Sequence, residues 1–544
     1  MSINLIIIKK MLNNFFKIAL ILLVIGSCHT EEKEQISPRL IFNCDGTDLL
    51  GNFMFGERPL SLADVRAYVD AYAKTPITTF MMCSGSDFLY YRSDYARILG
   101  QDPDGLAAGM FSDPSNLERY YRNFLLVEQE GADVIAAVLQ RAQEHQLETF
   151  ISYRMNDLHF CVPEQTPKGY SDFWMNHPEY RIGENYGWNA QGAFDFAHPE
   201  VRKHKMNIIS EQLDKYGHLI DGFDLDFMRM PAYFKQSESL QNVPLMTELV
   251  RSVRQKIDET SDRTGRKIRL SVRVWVDVAQ SLQNGLDVKE WVRLGLVDIV
   301  HVGVYWNGHP AMPVAKFRHD LKNDQIPVCA TIDDGGFWPR EPYSHGQRRG
   351  MAAHVYAQGA SGIYLFNHFI GGGYDGKSPA DGQSLRTVRP ILDELGNPEM
   401  LSRRNKIFAL DDGAASAYGY VSETPLPLTV TPSARSIAEL YVADNVQKIK
   451  PQEAILFLRT DRPESLAVSV NETELKEQKP EYITWLDRGN NLRNTETVYA
   501  FHVPVSALKQ AFNRISIASA GGEVTIMRIE IALKYGDPTT HGYF

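Results

Sequence analysis

Two aspartates, Asp224 and Asp226, lie at the end of an apolar segment that starts near His218. The segment predicts a buried β-strand, in which side chains two residues apart point to the same face. Burying two like charges on one face is costly, because each carboxylate loses hydration and repels the other. Such a pair is typical of a catalytic or ligand-binding site. A purely structural pair, hydrogen-bonded to neighbouring loops, is the alternative.

Polar and aromatic residues recur wherever a predicted strand ends. In a barrel of parallel strands the carboxyl ends meet at one mouth, where catalytic and binding groups lie. Aromatic rings stack on the C–H faces of sugars, while charged and amide side chains bond the hydroxyls. The pattern therefore predicts a carbohydrate site. Its candidate substrate-binding residues are Asp45, Tyr153, Arg154, Asn156, Asp157, His159, Trp188, Arg229, Arg273, Trp275, Tyr305, Trp306, Trp338, Asn367 and His368.

The carboxyl groups suit glycoside hydrolysis, which needs one protonated and one ionised carboxyl. Like charges on one strand push their pKa values apart, and this favours such a division. We expect Asp226, the residue nearest the mouth, to act as acid or nucleophile, with Asp224 supporting it. The second catalytic group is expected to be Asp334, with Asp157 as the alternative.

Eight short apolar segments alternate with amphipathic helical patterns over residues 39–367. Strand–helix alternation repeated in this way favours an α/β fold of the (β/α)8 class, the TIM barrel. An open doubly wound sheet is the alternative, but no glycine-rich phosphate turn follows the first strand. The predicted strands are residues 40–44, 77–83, 149–153, 219–226, 268–275, 298–305, 328–332 and 362–366.

The composition changes near residue 396, where proline, threonine, valine and serine become frequent. Short strand-like segments between turns follow, as is typical of an all-β sandwich. We predict a barrel over residues 38–400 and a smaller β-sandwich over residues 405–544. The sandwich either braces the barrel or binds glycan, and bracing is favoured because no aromatic cluster is apparent in its sequence.

Three stretches resemble the glycosyl-hydrolase-like family 10 barrels of bacteria. Residues 195–202 read Asp-Phe-Ala-His-Pro-Glu-Val-Arg, and residues 220–226 read Ile-Asp-Gly-Phe-Asp-Leu-Asp, like the family's "hPeVR" helix and "DGihlDd" strand. Residues 352–366 resemble the last helix and strand of such barrels. The resemblance covers roughly residues 39–395 and implies a glycan-acting barrel. It marks the class of barrel better than the substrate.

The central strand also partly matches the chitinase-like pattern DGxDxDxE. Asp221, Asp224 and Asp226 fit the pattern, but Met228 stands where the acidic glutamate belongs. A methionine cannot donate a proton, so chitinase-type substrate-assisted hydrolysis is not expected. The glutamate pair on strands four and seven of many retaining barrel glycosidases is missing as well.

Two other functions stay open. Met228 favours a barrel without activity that captures glycan as a surface lipoprotein. A polysaccharide lyase would use Tyr153 or His159 as its base. Arginines at the strand ends would then bind an acidic sugar, because guanidinium groups pair with carboxylates and sulfates. The arginines concerned are Arg154, Arg229 and Arg273.

The N-terminus resembles a bacterial lipoprotein signal peptide over residues 1–28. Three lysines precede a short apolar run at residues 18–25, which is too short to cross a membrane. The following Gly26-Ser27-Cys28 resembles a lipobox, which implies lipidation of Cys28. Acidic residues at 31, 32 and 34 resemble a surface-export signal of Bacteroidota lipoproteins. The expected location is the outer membrane, at the cell surface or on the periplasmic face.

Net charge and cysteine spacing restrict the partners. A net charge of −10 without a lysine or arginine cluster argues against nucleic acid. Cys44, Cys83, Cys161 and Cys329 lack metal-ligand spacing, so we expect neither metal nor cofactor. Histidines near the mouth could ligate a metal together with Asp157 or Asp226, but they have no HxH or HExxH spacing. The sequence predicts no oligomeric state.

Overall fold

Eight parallel strands close into a barrel in the computed structural model. Each strand pairs with the next along the chain, and β8 pairs with β1, which confirms the predicted barrel. The strands are β1 (Arg39–Cys44), β2 (Thr79–Gly85), β3 (Glu148–Arg154), β4 (Gly222–Asp226), β5 (Arg269–Trp275), β6 (Ile299–Gly303), β7 (Val328–Asp333) and β8 (Gly362–Phe366).

The structure describes residues 38–544 with internal gaps. The gaps are residues 57, 102–113, 158, 160–170, 188, 305–308, 334–342, 367, 369–390, 412–423, 433 and 479–496. The predicted signal peptide and Cys28 therefore lie outside the described residues. Among the residues that are described, no helix is long and apolar enough to cross a bilayer.

Strand β4 begins later than its sequence predicts. Gly217–Leu219 forms a 3-10 turn, and Asp221 precedes the strand. The Asp221 carboxylate accepts hydrogen bonds from the backbone N–H of Thr149, at 3.0 Å, and from Arg266, at 2.6 Å. These bonds hold Asp221 at the end of the barrel opposite the mouth. Asp224 and Asp226 alone continue toward the mouth.

Helices cover the outside of the barrel. Helix α2 shows why they begin where they do: Ser61 caps it, since the hydroxyl of Ser61 accepts from the N–H of Asp64 and the Asp64 carboxylate accepts from the N–H of Ser61. The helices are α1 (Thr47–Leu50), α2 (Leu62–Ala73), α3 (Pro114–Gln129), α4 (Val134–Glu144), α5 (Asp172–Asn176), α6 (Pro199–Tyr216), α7 (Ser239–Thr264), α8 (Val278–Gln283), α9 (Val288–Arg293), α10 (Val314–Leu321), α11 (His345–Ala357), α12 (Pro398–Leu401) and α13 (Pro538–His541).

Alternation along each strand divides the barrel residues between two cores. One set packs outward beneath the helices. The other set fills the barrel interior, which makes the interior a packed core with polar side chains above it. The interior apolar residues are Ile41, Met81, Phe150, Ile299, Cys329, Tyr364 and Phe366.

The C-terminal region is all-β, as predicted. It forms two antiparallel sheets, in the orders β9–β18–β12–β16–β15 and β11–β17–β13–β14, with β10 pairing with β18. Residues from both sheets share one apolar core. The strands are β9 (Lys406–Asp411), β10 (Leu428–Val430), β11 (Ser436–Val442), β12 (Glu453–Thr460), β13 (Leu466–Val470), β14 (Thr473–Glu474), β15 (Lys476–Gln478), β16 (Thr497–His502), β17 (Ala511–Ser519) and β18 (Val524–Lys534).

Helix α11 packs directly on β9, so the barrel and the β-region touch. Arg349 donates to the carbonyl oxygens of Asn405, at 3.1 Å, and Tyr543, at 2.6 Å. A side-chain carbon at Gly350 would lie 1.9 Å from the carbonyl oxygen of Ile407, so only glycine permits this approach. Residues 39–544 accordingly form one compact unit, and the predicted boundary between residues 400 and 405 stays a prediction.

Candidate active site

Strand β4 carries Asp224 and Asp226 into the barrel interior at the mouth. Asp224 contacts Ser152 of β3 and Ser271 of β5, while Asp226 contacts Arg273 of β5, so both side chains point to the interior as their shared parity requires. Asp224 is fully buried and Asp226 is 1% exposed. The predicted pair therefore exists as two buried carboxyl groups on one face, and each group takes different partners.

Asp226 forms a buried ion pair with Arg273. The guanidinium donates from Nε to Oδ1 at 2.8 Å and from Nη2 to Oδ2 at 3.0 Å, in the bidentate geometry that favours a carboxylate. The backbone N–H of Met228 also donates to Oδ1 at 2.9 Å. On its other side, the guanidinium carbon of Arg273 lies 3.9 Å from the ring centroid of Phe366. Asp226 is thus held at a defined position by a bidentate ion pair.

Asp224 has neutral hydrogen-bond partners instead. The hydroxyl of Ser152 donates to Oδ2 at 2.9 Å, and that of Ser271 donates to Oδ1 at 2.7 Å. Burial, together with the nearby charge of Asp226, raises the pKa of Asp224 to about 7. Near neutral pH the two carboxyls therefore differ: Asp224 carries a proton for much of the time, while Asp226 is ion-paired.

A second charged cluster lies beside the first. Arg154 contacts the carboxylate of Asp45 and donates to Oδ2 of Asp157 at 3.0 Å. Nδ1 of His159 lies 2.5 Å from Oδ1 of Asp157. Nη2 of Arg229 lies 3.2 Å from Nε2 of His159. An arginine can only donate, so Nε2 accepts and the proton of the neutral imidazole resides on Nδ1.

The charges of this second cluster set its protonation states. Burial alone would raise the pKa of Asp157, but His159 and Arg154 hold it well below its usual range. Burial likewise opposes ionisation of Asp45, whose pKa Arg154 and Arg229 nevertheless lower. The pKa of His159 is lowered by burial, although Asp157 opposes the shift. The mouth thus holds ionised carboxylates among arginines and a neutral histidine.

Other predicted residues have contacts of their own. The amide of Asn156 donates to the backbone oxygens of Phe194, at 3.0 Å, and Ala232, at 2.6 Å, so it tethers two loops. Tyr153 faces away from the barrel interior and belongs to the core beneath the helices. Its ring centroid lies 5.5 Å from Nζ of Lys205. The structure does not bring Tyr153 together with the aspartate pair.

The remaining predicted residues divide into two groups. Trp275 is fully buried at the end of β5. His368 is 2% exposed, and its carbonyl oxygen accepts from the hydroxyl of Tyr72 at 3.2 Å. The others fall outside the described residues, so their positions stay predictions. They are Trp188, Tyr305, Trp306, Asp334, Trp338 and Asn367.

Sequence reasoning missed three polar residues inside the barrel. Ser152 and Ser271 bind Asp224, and Nε2 of His301 lies 3.7 Å from Oδ1 of the same carboxyl. All three lie inside strands rather than at their ends. Their signal was a polar residue at an interior position of an otherwise apolar strand. Ser152 and Ser271 are in register with Asp224, and His301 is in register with Arg273. Among the described residues, no group of three or more histidine, cysteine or acidic side chains is arranged to hold a metal ion.

No family model and no curated protein matches this chain. Solved structures with similar folds include the PgaB (BpsB) glycoside hydrolase domain from Bordetella bronchiseptica, at 9% identity over 65% of this chain and 98% of that one, with a TM-score of 0.40. A family GH18 chitinase from Chromobacterium violaceum has 11% identity over 92% and 89% of the two chains, with a TM-score of 0.35.

A putative alpha-L-fucosidase from Bacteroides thetaiotaomicron has 12% identity over 62% of this chain and 90% of that one, with a TM-score of 0.34. At such identities and TM-scores the similarity carries no conclusion about activity. The resemblance to glycosyl-hydrolase-like family 10 stays a prediction.

Proposed function

We propose that this protein is a glycoside hydrolase that acts on a polysaccharide or oligosaccharide at the mouth of its barrel. One observation carries the proposal: two buried carboxyls on one face of β4 have different partners, because Asp224 accepts from two serine hydroxyls and Asp226 from the Arg273 guanidinium. Burial raises the pKa of Asp224 to about 7, whereas Asp226 is paired with Arg273. Glycoside hydrolysis requires such a division of roles, and environments that push two pKa values apart indicate where it is made.

Asp226 is the better candidate for contact with the sugar. It lies two residues closer to the mouth than Asp224, and Arg273 and the N–H of Met228 fix its orientation. Asp224 supports it, because a neutral neighbour does not repel the charge that Asp226 bears or develops. Asp334 remains the proposed second catalytic group. Asp157 is the alternative, and it is already held by Arg154 and His159.

The arrangement of charges favours a neutral sugar. Arg154 and Arg273 pair with carboxylates of the protein, and Arg229 contacts His159. Arg154 and Arg273 are therefore less available to an acidic glycan, whereas Nε of Arg229 has no hydrogen-bond partner among the described residues. A polysaccharide lyase gains less support, because Tyr153 packs outside the barrel interior and Nε2 of His159 already accepts from Arg229.

The test is a screen of the purified protein without residues 1–28 against neutral and acidic polysaccharides. Released reducing ends and binding are both measured. We expect Asp226→Asn to lower turnover by about 100-fold or more, the range typical of a lost acid–base group. Asp221→Asn is the matched control, because Asp221 immediately precedes the same strand and lies at the opposite end of the barrel. Undiminished turnover in Asp226→Asn would show that Asp226 is not catalytic.

Glycan capture without hydrolysis is the second candidate, and a specific observation favours it. Both carboxylate oxygens of Asp226 are engaged by Arg273, and Met228 stands where a chitinase-like acid would be. A protein of this kind would bind a glycan in the same screen and release no reducing ends. Its binding would be unchanged in Asp226→Asn.

We also propose that Cys28 is lipidated and anchors the protein in the outer membrane. The basis is the lipobox-like sequence at residues 25–28. Metabolic labelling with an alkyne fatty acid in the bacterial cell tests it. Label should enter the wild type and Ser27→Ala, which keeps a small residue before the cysteine, and should be absent from Cys28→Ser. Equal labelling of Cys28→Ser would refute the assignment.

A further inference from the structure

His301 is a buried imidazole that belongs neither to the aspartate pair nor to the second charged cluster. It lies in β6, is fully buried, and shares its interior face with Arg273 and Cys329 of the adjacent strands. Its ring centroid lies 4.8 Å from that of Tyr364. Within the described part of the chain, neither ring nitrogen has a hydrogen-bond partner. Buried polar atoms are nearly always satisfied, so such a histidine calls for an explanation.

The carboxyl of Asp224 lies close to His301, with Nε2 at 3.7 Å from Oδ1. Ser152 and Ser271 contact one carboxyl oxygen each. A protonated carboxyl needs an acceptor for its O–H, and an imidazole nitrogen is a much stronger acceptor than a serine hydroxyl. Closing the gap to a hydrogen bond takes a movement of about 1 Å. His301 is therefore the base best placed to hold the proton of Asp224.

The surrounding charges keep the imidazole neutral. Burial, with Arg39 and Arg273 in support, lowers the pKa of His301 to about 3. Asp226 faces Asp224 from the same strand and favours its protonated form. Cys329 and Tyr364, which line the same interior, stay uncharged near neutral pH, because burial raises the pKa of Cys329 to about 12 and that of Tyr364 well above its usual value.

Building on the proposed function, we propose that His301 is a positioning residue that accepts a hydrogen bond from the neutral carboxyl of Asp224. The bond joins the O–H of Asp224 to Nε2 of His301 and leaves the proton on oxygen. It keeps Asp224 uncharged beside Asp226, so that Asp226 alone presents a negative charge at this point of the mouth. His301 acts through Asp224 and does not contact the sugar.

The test follows the Asp224 carboxyl directly, by carbon-13 NMR titration of the full chain, with the resonance assigned from Asp224→Asn. We expect a midpoint near 7 in the wild type. In His301→Gln it should fall by about one pH unit, because the protonated form exchanges its imidazole acceptor for the weaker acceptor of an amide oxygen. Thr331→Val is the matched control: it removes an interior hydroxyl without a partner among the described residues and leaves Asp224 untouched. Equal midpoints in His301→Gln and the wild type would overturn the proposal.

A second measurement covers the case in which His301→Gln does not fold. The nitrogen-15 shift of His301 Nε2, assigned in the wild type, should change on Asp224→Asn, and an unchanged shift would also overturn the proposal. These readouts are independent of turnover. If Asp226→Asn abolishes turnover while the midpoint is unaffected by His301→Gln, this inference fails and the proposed function stands. If the midpoint falls and Asp226→Asn keeps full turnover, the pairing is supported and the proposed function fails.

Discussion

The Asp226–Arg273 pair allows a quantitative prediction through Arg273→Met. Methionine keeps much of the apolar stem but removes the guanidinium from a pair whose side chains are 1% and 4% exposed. An uncompensated buried charge costs about 3–5 kcal/mol. Loss of the contact between the guanidinium and the Phe366 ring, at 3.9 Å, adds about 1–2 kcal/mol. The free energy of unfolding should therefore fall by about 4–7 kcal/mol.

The assay is equilibrium unfolding in urea, with the wild type, Arg273→Met and the double variant Arg273→Met/Asp226→Leu compared under one condition. The double variant should regain much of the loss, because it leaves no unpaired charge. Arg293→Met is the matched control: Arg293 makes an equally bidentate pair with Glu290, at 2.6 Å for both bonds, but on the surface. Its effect should be much smaller. The reasoning is refuted if the two single variants lose similar stability, or if the double variant is no more stable than Arg273→Met.

Three further predictions follow from buried groups. Burial raises the folded-state pKa of Asp48 to about 7. The contribution of this group to the free energy of unfolding is therefore full below the unfolded pKa of about 4 and is lost as the pH rises through 7. Asp48→Asn should flatten that decline in thermal melts taken between pH 4 and 8. Lys205→Met removes the ammonium partner of the buried Asp87 carboxylate and should lower the free energy of unfolding in urea by about 3–5 kcal/mol. An unchanged free energy would contradict the pairing. Gly350→Ala should lower the melting temperature, because the new carbon would lie 1.9 Å from the oxygen of Ile407; an unchanged value would mean that α11 and β9 can separate freely.

The barrel and the shared face of the aspartate pair were predictable because both depend on local periodicity. Alternation in strands and the spacing of strands and helices are properties of short segments, and this pattern recurs eight times along the chain. The same parity also contains information that our predictions did not use. Tyr153 immediately precedes Arg154 in β3, so the two side chains cannot both enter the barrel. Reading parity through to the last residue of the strand would have placed Tyr153 outside.

Asn156 shows where local patterns stop being informative. It follows β3 and so belongs to the predicted ring of mouth residues, yet its amide bonds the backbones of Phe194 and Ala232. Those partners lie 38 and 76 residues further along the chain. The direction in which a chain leaves a strand depends on the loops packed around it, and no local pattern encodes that direction.

The sequence by itself determined which carboxyls enter the barrel. The tertiary structure decided which partners each carboxyl has and therefore how readily it is protonated. Asp224 and Asp226 have the same residue type and the same parity. They differ because β3 and β5 bring serines to one and Arg273 to the other, from 47 to 72 residues away along the chain. The register of β6 on β5 pairs His301 with Arg273, and Nε2 of His301 then lies 3.7 Å from Oδ1 of Asp224. Protonation depends on burial and on neighbouring charges, and both exist only once the strands have closed.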